Sequence, residues 1–206
     1  MNNTEFTSSQ KPPIEIAPEN MPRLNSTMAI KIGYFIFRLS GWRYRGEIPN
    51  VNKLLAAAAP HTSNWDFIIA VPIILALGLK ATIMMKKEAF LWPIDKLWRW
   101  MGFIPTDRSG AKGNVSAVVD HFNNSDKLWF VLAPEGTRSL NTQWKTGFLN
   151  IAHQAQVPVL LVSWDYPSKT VTFGPLFKTS GDNEKDLADI RAHFGQFTGR
   201  HPHLQG

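Results

Sequence analysis

The chain has 206 residues, of which 44% are hydrophobic, and this is enough for one domain with a sizeable core. It contains no cysteine, which excludes disulfides, thiolate metal sites and a cysteine nucleophile. A net charge of +6 favours an anionic partner, such as phospholipid headgroups or a phosphorylated substrate. We expect no nucleic-acid partner because no dense Lys/Arg cluster accompanies that charge.

Residues 1–25 are polar and contain four prolines, so we expect a mobile N-terminal tail. This segment lacks a basic start followed by an apolar core, and therefore we expect no signal peptide. Apolar residues then recur at helical spacing over residues 28–42, and Arg43 and Arg45 follow them. The pattern predicts an amphipathic N-terminal helix, which either lies in the plane of lipid headgroups or packs on the core.

The next apolar run, residues 67–79, is thirteen residues long and contains Pro72. A bilayer-spanning helix needs roughly 18–20 apolar residues, so this run predicts a buried helix instead. Eight tryptophans favour a position at a membrane interface. We therefore expect a peripheral or monotopic protein on the cytoplasmic face of a membrane, with no spanning helix.

Short apolar segments alternate with segments of helical periodicity from residue 54 onward. This alternation predicts an α/β domain. No internal repeat or second-domain boundary is visible, so we expect one domain over residues 26–206. Residues 170–173 are predicted to form an edge strand.

His61 and Asp66 lie five positions apart, directly after a predicted strand. On one helix their side chains would point about 140° apart, so they meet only if His61 lies on a turn before the helix. Ser63 or Asn64 can cap that helix, which would begin near Trp65. We expect His61 to act as a general base for a substrate hydroxyl, with Asp66 orienting the imidazole. The alternative is a loop histidine beside a carboxylate that only caps the helix.

A second loop, residues 134–139, follows another apolar strand. Ligands of α/β sheets tend to bind near the carboxyl ends of strands. Gly136 lets the backbone approach a ligand closely, and Arg138 offers a planar fork suited to phosphate. Thr137 adds a hydroxyl donor, and Glu135 either positions a substrate hydroxyl or braces Arg138. The alternative is a surface turn with a salt bridge.

Four motifs occur in order within residues 54–165: H-x₄-D at 61–66, G-x-I-x-x-x-R at 102–108, P-E-G-T-R-S at 134–139 and an apolar V-P strand at 157–162. In this order they resemble the lysophosphatidic acid acyltransferase family, also called 1-acyl-glycerol-3-phosphate acyltransferases. The resemblance implies a glycerolipid-acyltransferase-like domain, with a mixed central sheet flanked by helices. It also implies association with a membrane surface.

The same resemblance implies transfer of a fatty acyl group from acyl-CoA or acyl carrier protein to the hydroxyl of a lysophospholipid. It implies that Lys86, Arg108 and Arg138 recognise the phosphate of the acceptor, 1-acyl-glycerol-3-phosphate or another lysolipid. No metal or further cofactor is expected. Two alternatives stay open: a non-catalytic lipid-binding protein at a membrane surface, and a thioesterase in which water replaces the alcohol.

Overall fold

The computed structural model describes residues 17–106, 113–141 and 143–206. Within these residues, seven strands form one sheet with the spatial order β1-β7-β6-β2-β5-β3-β4. The strands are β1 (Arg43–Arg45), β2 (Lys53–Ala59), β3 (Ala81–Lys86), β4 (Ile104–Thr106), β5 (Leu128–Leu132), β6 (Val159–Asp165) and β7 (Thr170–Phe177).

The sheet is mixed, as expected. β2 lies at its centre and pairs in parallel with β5 and β6, and β3 and β4 continue the parallel part beyond β5. β7 runs antiparallel to β6, and β1 runs parallel to β7. The predicted edge position of residues 170–173 is therefore wrong, because β1 covers that side of β7.

The described helices are α1 (Thr27–Leu39), α2 (Trp65–Ala76), α3 (Ile94–Met101), α4 (Gly113–Asn123), α5 (Gly147–Gln154) and α6 (Asn183–Phe194). They lie on both faces of the sheet, and the side chains of β2 point alternately toward the two groups of helices. Leu54 and Ala56 point into the core shared with α1, α2 and α3, whereas Leu55 and Ala57 point into the core shared with α4, α5 and α6. A central strand buried on both faces has a continuous apolar sequence, and this confirms the single α/β domain.

The N-terminal helix α1 packs on α2 and exposes apolar residues at the same time. Gly33 permits the close approach, because a Cβ at that position would lie 2.5 Å from Leu75 Cβ. Phe37 is buried beside it. A stripe roughly 100° wide faces solvent instead, and it consists of Met28, Ile32, Phe35, Ile36 and Leu39. Among the described helices, none has the length and apolar content to cross a bilayer.

The segment before α1 also packs on the domain. Met21 and Leu24 are buried, and the Leu24 amide donates a 2.7 Å hydrogen bond to the Gly78 carbonyl. The Lys80 amide donates in turn to Pro22. Residues 17–25 are therefore part of the packed structure, unlike the tail expected to extend to residue 25. Residues 1–16 lie outside the described part of the chain.

Candidate active site

The polar loops meet at the carboxyl edge of the parallel strands. His61 follows β2, Glu135 follows β5, Lys86 ends β3 and Tyr166 follows β6. Since neighbouring parallel strands end at the same edge, the pairing of β2 with β5 and β6 brings these loops together. This edge is where the sequence predicted the site.

The turn between β2 and α2 supplies the predicted bend. α2 begins at Trp65, and Ser63 Oγ accepts a 3.2 Å hydrogen bond from the Trp65 amide. The Asp66 carboxylate accepts in return from the Ser63 amide at 3.0 Å. This reciprocal pair closes the start of the helix, while His61 stays on the turn outside it.

His61 and Asp66 are in direct contact. Nδ1 of His61 lies 2.9 Å from Oδ2 of Asp66, whose side chain is 1% exposed. The His61 side chain is 25% exposed, so part of the ring is accessible to solvent. The structure thus brings together the two residues predicted as a pair, and Asp66 serves both the helix start and the imidazole.

Tyr166 completes the surroundings of Asp66. Its hydroxyl donates a 2.5 Å hydrogen bond to Oδ1 of Asp66. Burial raises the pKa of the Tyr166 phenol, and the hydrogen bond to Asp66 and the charge of that carboxylate raise it further. Sequence reasoning missed this residue, because only the pairing of β6 with β2 brings it to Asp66.

Glu135 contacts the turn between β2 and α2. Its Oε2 accepts a 2.9 Å hydrogen bond from the His61 amide, and its Oε1 is buried without a hydrogen-bond partner among the described residues. Burial raises the pKa of Glu135 to about 6, and the charge of Asp66 acts in the same direction. The hydrogen bond from His61 opposes both effects. The observed partner of Glu135 is thus the backbone of the predicted base.

The loop after Glu135 is a tight turn. Gly136 has a φ of +69°, which favours glycine, and its amide donates to the Ala133 carbonyl at 3.1 Å. Asn141 Nδ2 donates to the Glu135 carbonyl at 2.9 Å, and Thr137 Oγ1 accepts from the Ser139 amide at 3.2 Å. Because the Gly136 amide is used within the turn, it is not a free donor for a ligand.

The predicted cations differ in how the structure places them. Lys86 and Arg138 are exposed at the same edge as His61. Arg108 lies outside the described residues. Lys145, which sequence reasoning did not single out, runs along this loop: a Cβ at Gly136 would lie 3.4 Å from Lys145 Cδ.

The C-terminal segment, residues 197–206, packs on the turn between β2 and α2. The His201 amide donates a 3.1 Å hydrogen bond to Thr62 Oγ1, and a Cβ at Gly199 would lie 2.8 Å from that oxygen. The Arg200 guanidinium lies 4.9 Å from the ring centre of Trp65. These contacts hold Thr62, which follows His61, and Trp65, which precedes Asp66, in place.

Comparison with known proteins identifies the family of the chain. The Acyltransferase family model matches residues 44–164, which is more than half of the chain and includes both His61 and Asp66. The chain belongs to the acyltransferase family. This confirms the family expected from the four motifs, and with it an enzyme of the acyltransferase type. No curated protein sequence is significantly similar to the chain.

The fold of this acyltransferase is similar to a solved structure. The crystal structure of the 1-acyl-sn-glycerophosphate (LPA) acyltransferase PlsC from Thermotoga maritima superimposes with a TM-score of 0.63. The match covers 82% of this chain and 76% of that chain, at 20% sequence identity. It confirms the expected architecture. Among the described residues of this acyltransferase, no group of three or more His, Asp or Glu side chains is placed to hold a metal ion.

Proposed function

We propose that this acyltransferase moves a fatty acyl group from acyl-CoA or acyl carrier protein to the free hydroxyl of a lysophospholipid, with 1-acyl-glycerol-3-phosphate as the acceptor. The observation that carries this proposal is the 2.9 Å contact between a partly exposed imidazole and a buried carboxylate at the carboxyl edge of the sheet. The name of the Thermotoga maritima protein, which shares the fold, supports the choice of acceptor.

In the proposed mechanism, Asp66 accepts a hydrogen bond from Nδ1 of His61, which leaves Nε2 to take a proton. Nε2 removes the proton of the acceptor hydroxyl while that oxygen attacks the thioester carbonyl carbon. The tetrahedral intermediate then breaks its C–S bond, and the imidazolium returns the proton to the leaving thiolate. The products are an ester and a free thiol, and His61 is neutral again after it has returned the proton.

Binding of the acceptor phosphate is assigned to the cations at the same edge. Lys86 and Arg138 are exposed there, and the resemblance adds Arg108. Arg138 follows the tight turn at Gly136, which limits the positions its backbone can take. Glu135 supports the turn that carries the base, and Thr137 braces the loop. We propose no metal or other cofactor in this reaction.

The deciding experiment incubates the purified protein with labelled acyl-CoA or acyl carrier protein and a panel of lysophospholipids. We expect a labelled diacyl product whose formation depends on the acceptor. Free fatty acid formed at the same rate without acceptor would identify a thioesterase instead. Lipid binding without turnover of any donor would favour a non-catalytic lipid-binding protein.

His61→Ala tests the base within the same assay. We expect turnover to fall by about 10²–10⁴-fold, which is the usual contribution of a general base. His121→Ala is a matched control. His121 is exposed on α4, which lies on the face of the sheet opposite to α2. Near-normal turnover by a folded His61→Ala protein would remove His61 from the role of base.

We also propose that the face formed by α1, α2 and α3 lies on a membrane. Among the described residues, twelve of the fourteen large hydrophobic side chains that are exposed belong to it. They form what we call the apolar face: Met28, Ile32, Phe35, Ile36, Leu39, Trp65, Ile68, Leu91, Trp92, Ile94, Leu97 and Trp100. Exposed cations lie among them, including Lys31, Arg38, Lys96 and Arg99. An apolar face with interspersed cations suits an anionic lipid surface.

A further inference from the structure

The carboxylate beside the proposed base has partners on both of its oxygens. Oδ2 of Asp66 lies 2.9 Å from His61 Nδ1 and accepts from the Ser63 amide at 3.0 Å. Oδ1 accepts from the Tyr166 hydroxyl at 2.5 Å. Asp66 is almost fully buried, so these donors replace water around its charge. Two contacts on Oδ2 and one on Oδ1 fix the rotation of the carboxylate plane.

Tyr166 is itself held firmly. Its amide donates a 2.9 Å hydrogen bond to the Thr198 carbonyl, and its carbonyl accepts from the Lys169 amide. The ring stands edge-on to Trp42, with ring centres 4.9 Å apart and planes at 85°. Trp42 packs in turn against Trp164, at 6.4 Å and 77°. The hydroxyl therefore reaches Asp66 from a ring that has little freedom to move.

We infer that Tyr166 is a positioning residue of the acyl-transfer reaction, which acts by aiming the Asp66 carboxylate at His61. This inference rests on the proposed function, because it needs His61 as the base. A carboxylate that is free to rotate would spend time with Oδ2 turned away from Nδ1. The imidazole would then lose its fixed orientation, and Nε2 would point less steadily at the acceptor hydroxyl.

The phenol also moderates the charge that His61 experiences. A hydrogen bond on Oδ1 draws negative charge away from Oδ2, so the imidazolium is stabilised less than it would be by an unshared carboxylate. Because burial and Asp66 raise the pKa of Tyr166, the phenol stays protonated and remains a donor at neutral pH. Among the described residues, Asp66 and Glu135 are the carboxyl groups that face His61, and Arg200 is the cation that acts on Tyr166.

Tyr166→Phe tests the inference, since it removes one oxygen and keeps the ring against Trp42. We expect kcat to fall by about tenfold, the equivalent of a lost hydrogen bond to a charged group, with KM for both substrates nearly unchanged. We also expect the acid limb of the kcat/KM pH profile to move to higher pH. The reason is that Asp66 without the phenol holds the imidazolium more strongly.

A second readout needs no substrate. The ring signals of His61, identified by their loss in His61→Ala, can be titrated by NMR in the wild-type protein and in Tyr166→Phe. We expect the midpoint of the His61 titration to rise in the variant. If the wild-type protein catalyses no acyl transfer but this midpoint still rises, the proposed function fails and the coupling of Tyr166 to His61 stands.

Tyr44→Phe is the matched control, because Tyr44 is a half-buried tyrosine of the same core whose ring packs on Phe173. It should leave kcat, the pH profile and the His61 titration as in the wild type. A Tyr166→Phe protein with wild-type kcat and an unshifted profile would overturn the inference. So would a fall in kcat explained by a lower melting temperature alone, with the titration of His61 unchanged.

Discussion

Glu135 is a carboxyl group whose ionised form is destabilised by burial. Its pKa is raised from 4.5 to about 6, so the folded protein binds its proton more tightly than the unfolded chain does. Stability is therefore highest when Glu135 is protonated and falls as the pH rises through this interval. We expect the free energy of unfolding to lose about 2 kcal/mol between pH 4 and pH 7 from this group.

Glu135→Gln removes that charge and keeps an oxygen that can accept from the His61 amide. We expect the variant to be more stable than the wild type near neutral pH and to lose this advantage as the pH falls toward about 4. Denaturant unfolding at both pH values measures the difference. Glu47→Gln, at an exposed position, is the control. A stability difference that does not change with pH would contradict the raised pKa.

Substitution of Arg138 tests the proposed binding site for the acceptor phosphate. Its exposed guanidinium follows the carboxyl end of β5, and a planar fork can bind a phosphate with two hydrogen bonds. We expect Arg138→Ala to raise KM for the lysophospholipid about tenfold or more and to change KM for the acyl donor much less.

Lys127→Ala controls for the loss of a surface cation, because Lys127 precedes β5 and lies at the opposite edge of the sheet. It should leave both KM values unchanged. A larger effect of Arg138→Ala on the donor than on the acceptor would assign the loop to the acyl donor instead.

How far the site could be predicted depends on sequence separation. His61 and Asp66 are five residues apart, and the strand, bend and helix cap between them are visible in the sequence. Local geometry therefore allowed their contact, and the four motifs favoured it over a carboxylate that only caps the helix. Tyr166 lies 100 residues from its partner, and the bond between Glu135 and the His61 amide spans 74. Both depend on which strands are neighbours, and no local pattern contains that information.

At the scale of elements, the buried strands and α2 were predictable because long apolar runs and a helix cap mark them. β1 was not predicted, since three residues with two arginines carry no strand pattern. It forms because β7 offers an edge to pair with, and this is also why the expected edge position of β7 was wrong. The C-terminal segment carries no motif that marks it as part of the site, yet it contacts the turn before α2 through Thr62.

That contact leads to a prediction about Gly199. A methyl group there would lie 2.8 Å from Thr62 Oγ1 and 3.2 Å from Pro60 Cγ, so the turn or the segment must shift. Thr62 is the neighbour of His61, the proposed base, and small displacements of a group that takes part in catalysis lower the rate strongly. We expect Gly199→Ala to lower kcat by about tenfold, as measured in the acyl-transfer assay.

Gly195→Ala is a closely matched control. The added methyl group would meet only Arg191 and Ala192 carbonyl oxygens, at 3.4 and 3.7 Å, which are ordinary or nearly ordinary contacts. It should preserve kcat. If Gly199→Ala lowered the melting temperature but kept the wild-type kcat, the C-terminal segment would have no part in positioning His61 for the proposed reaction.

For the molecule as a whole, the important feature is that the carboxyl edge of the sheet lies next to the apolar face. The carboxyl edge of the sheet carries His61, and the apolar face begins beside it, because Trp65 directly precedes Asp66 in α2. A lipid acceptor has its reactive hydroxyl near the headgroup and its chain in the bilayer. A protein seated on its apolar face would thus meet the hydroxyl at the edge without extracting the chain from the membrane.

The last prediction concerns this face. Phe35→Ser combined with Leu39→Ser removes two exposed apolar side chains from α1 without touching the buried Gly33 and Phe37. We expect wild-type protein to sediment with phospholipid vesicles, more strongly when they contain anionic phosphatidylglycerol. The double variant should partition at least about tenfold more weakly, since each side chain loses much of its transfer free energy.

Leu140→Ser combined with Leu176→Ser is the control, because these two exposed leucines lie outside the apolar face. It should bind vesicles like the wild type. Equal binding by both double variants would contradict a membrane role for α1. If the wild type ignored vesicles but formed dimers that the α1 variant could not form, the apolar face would be an interface between copies of the chain.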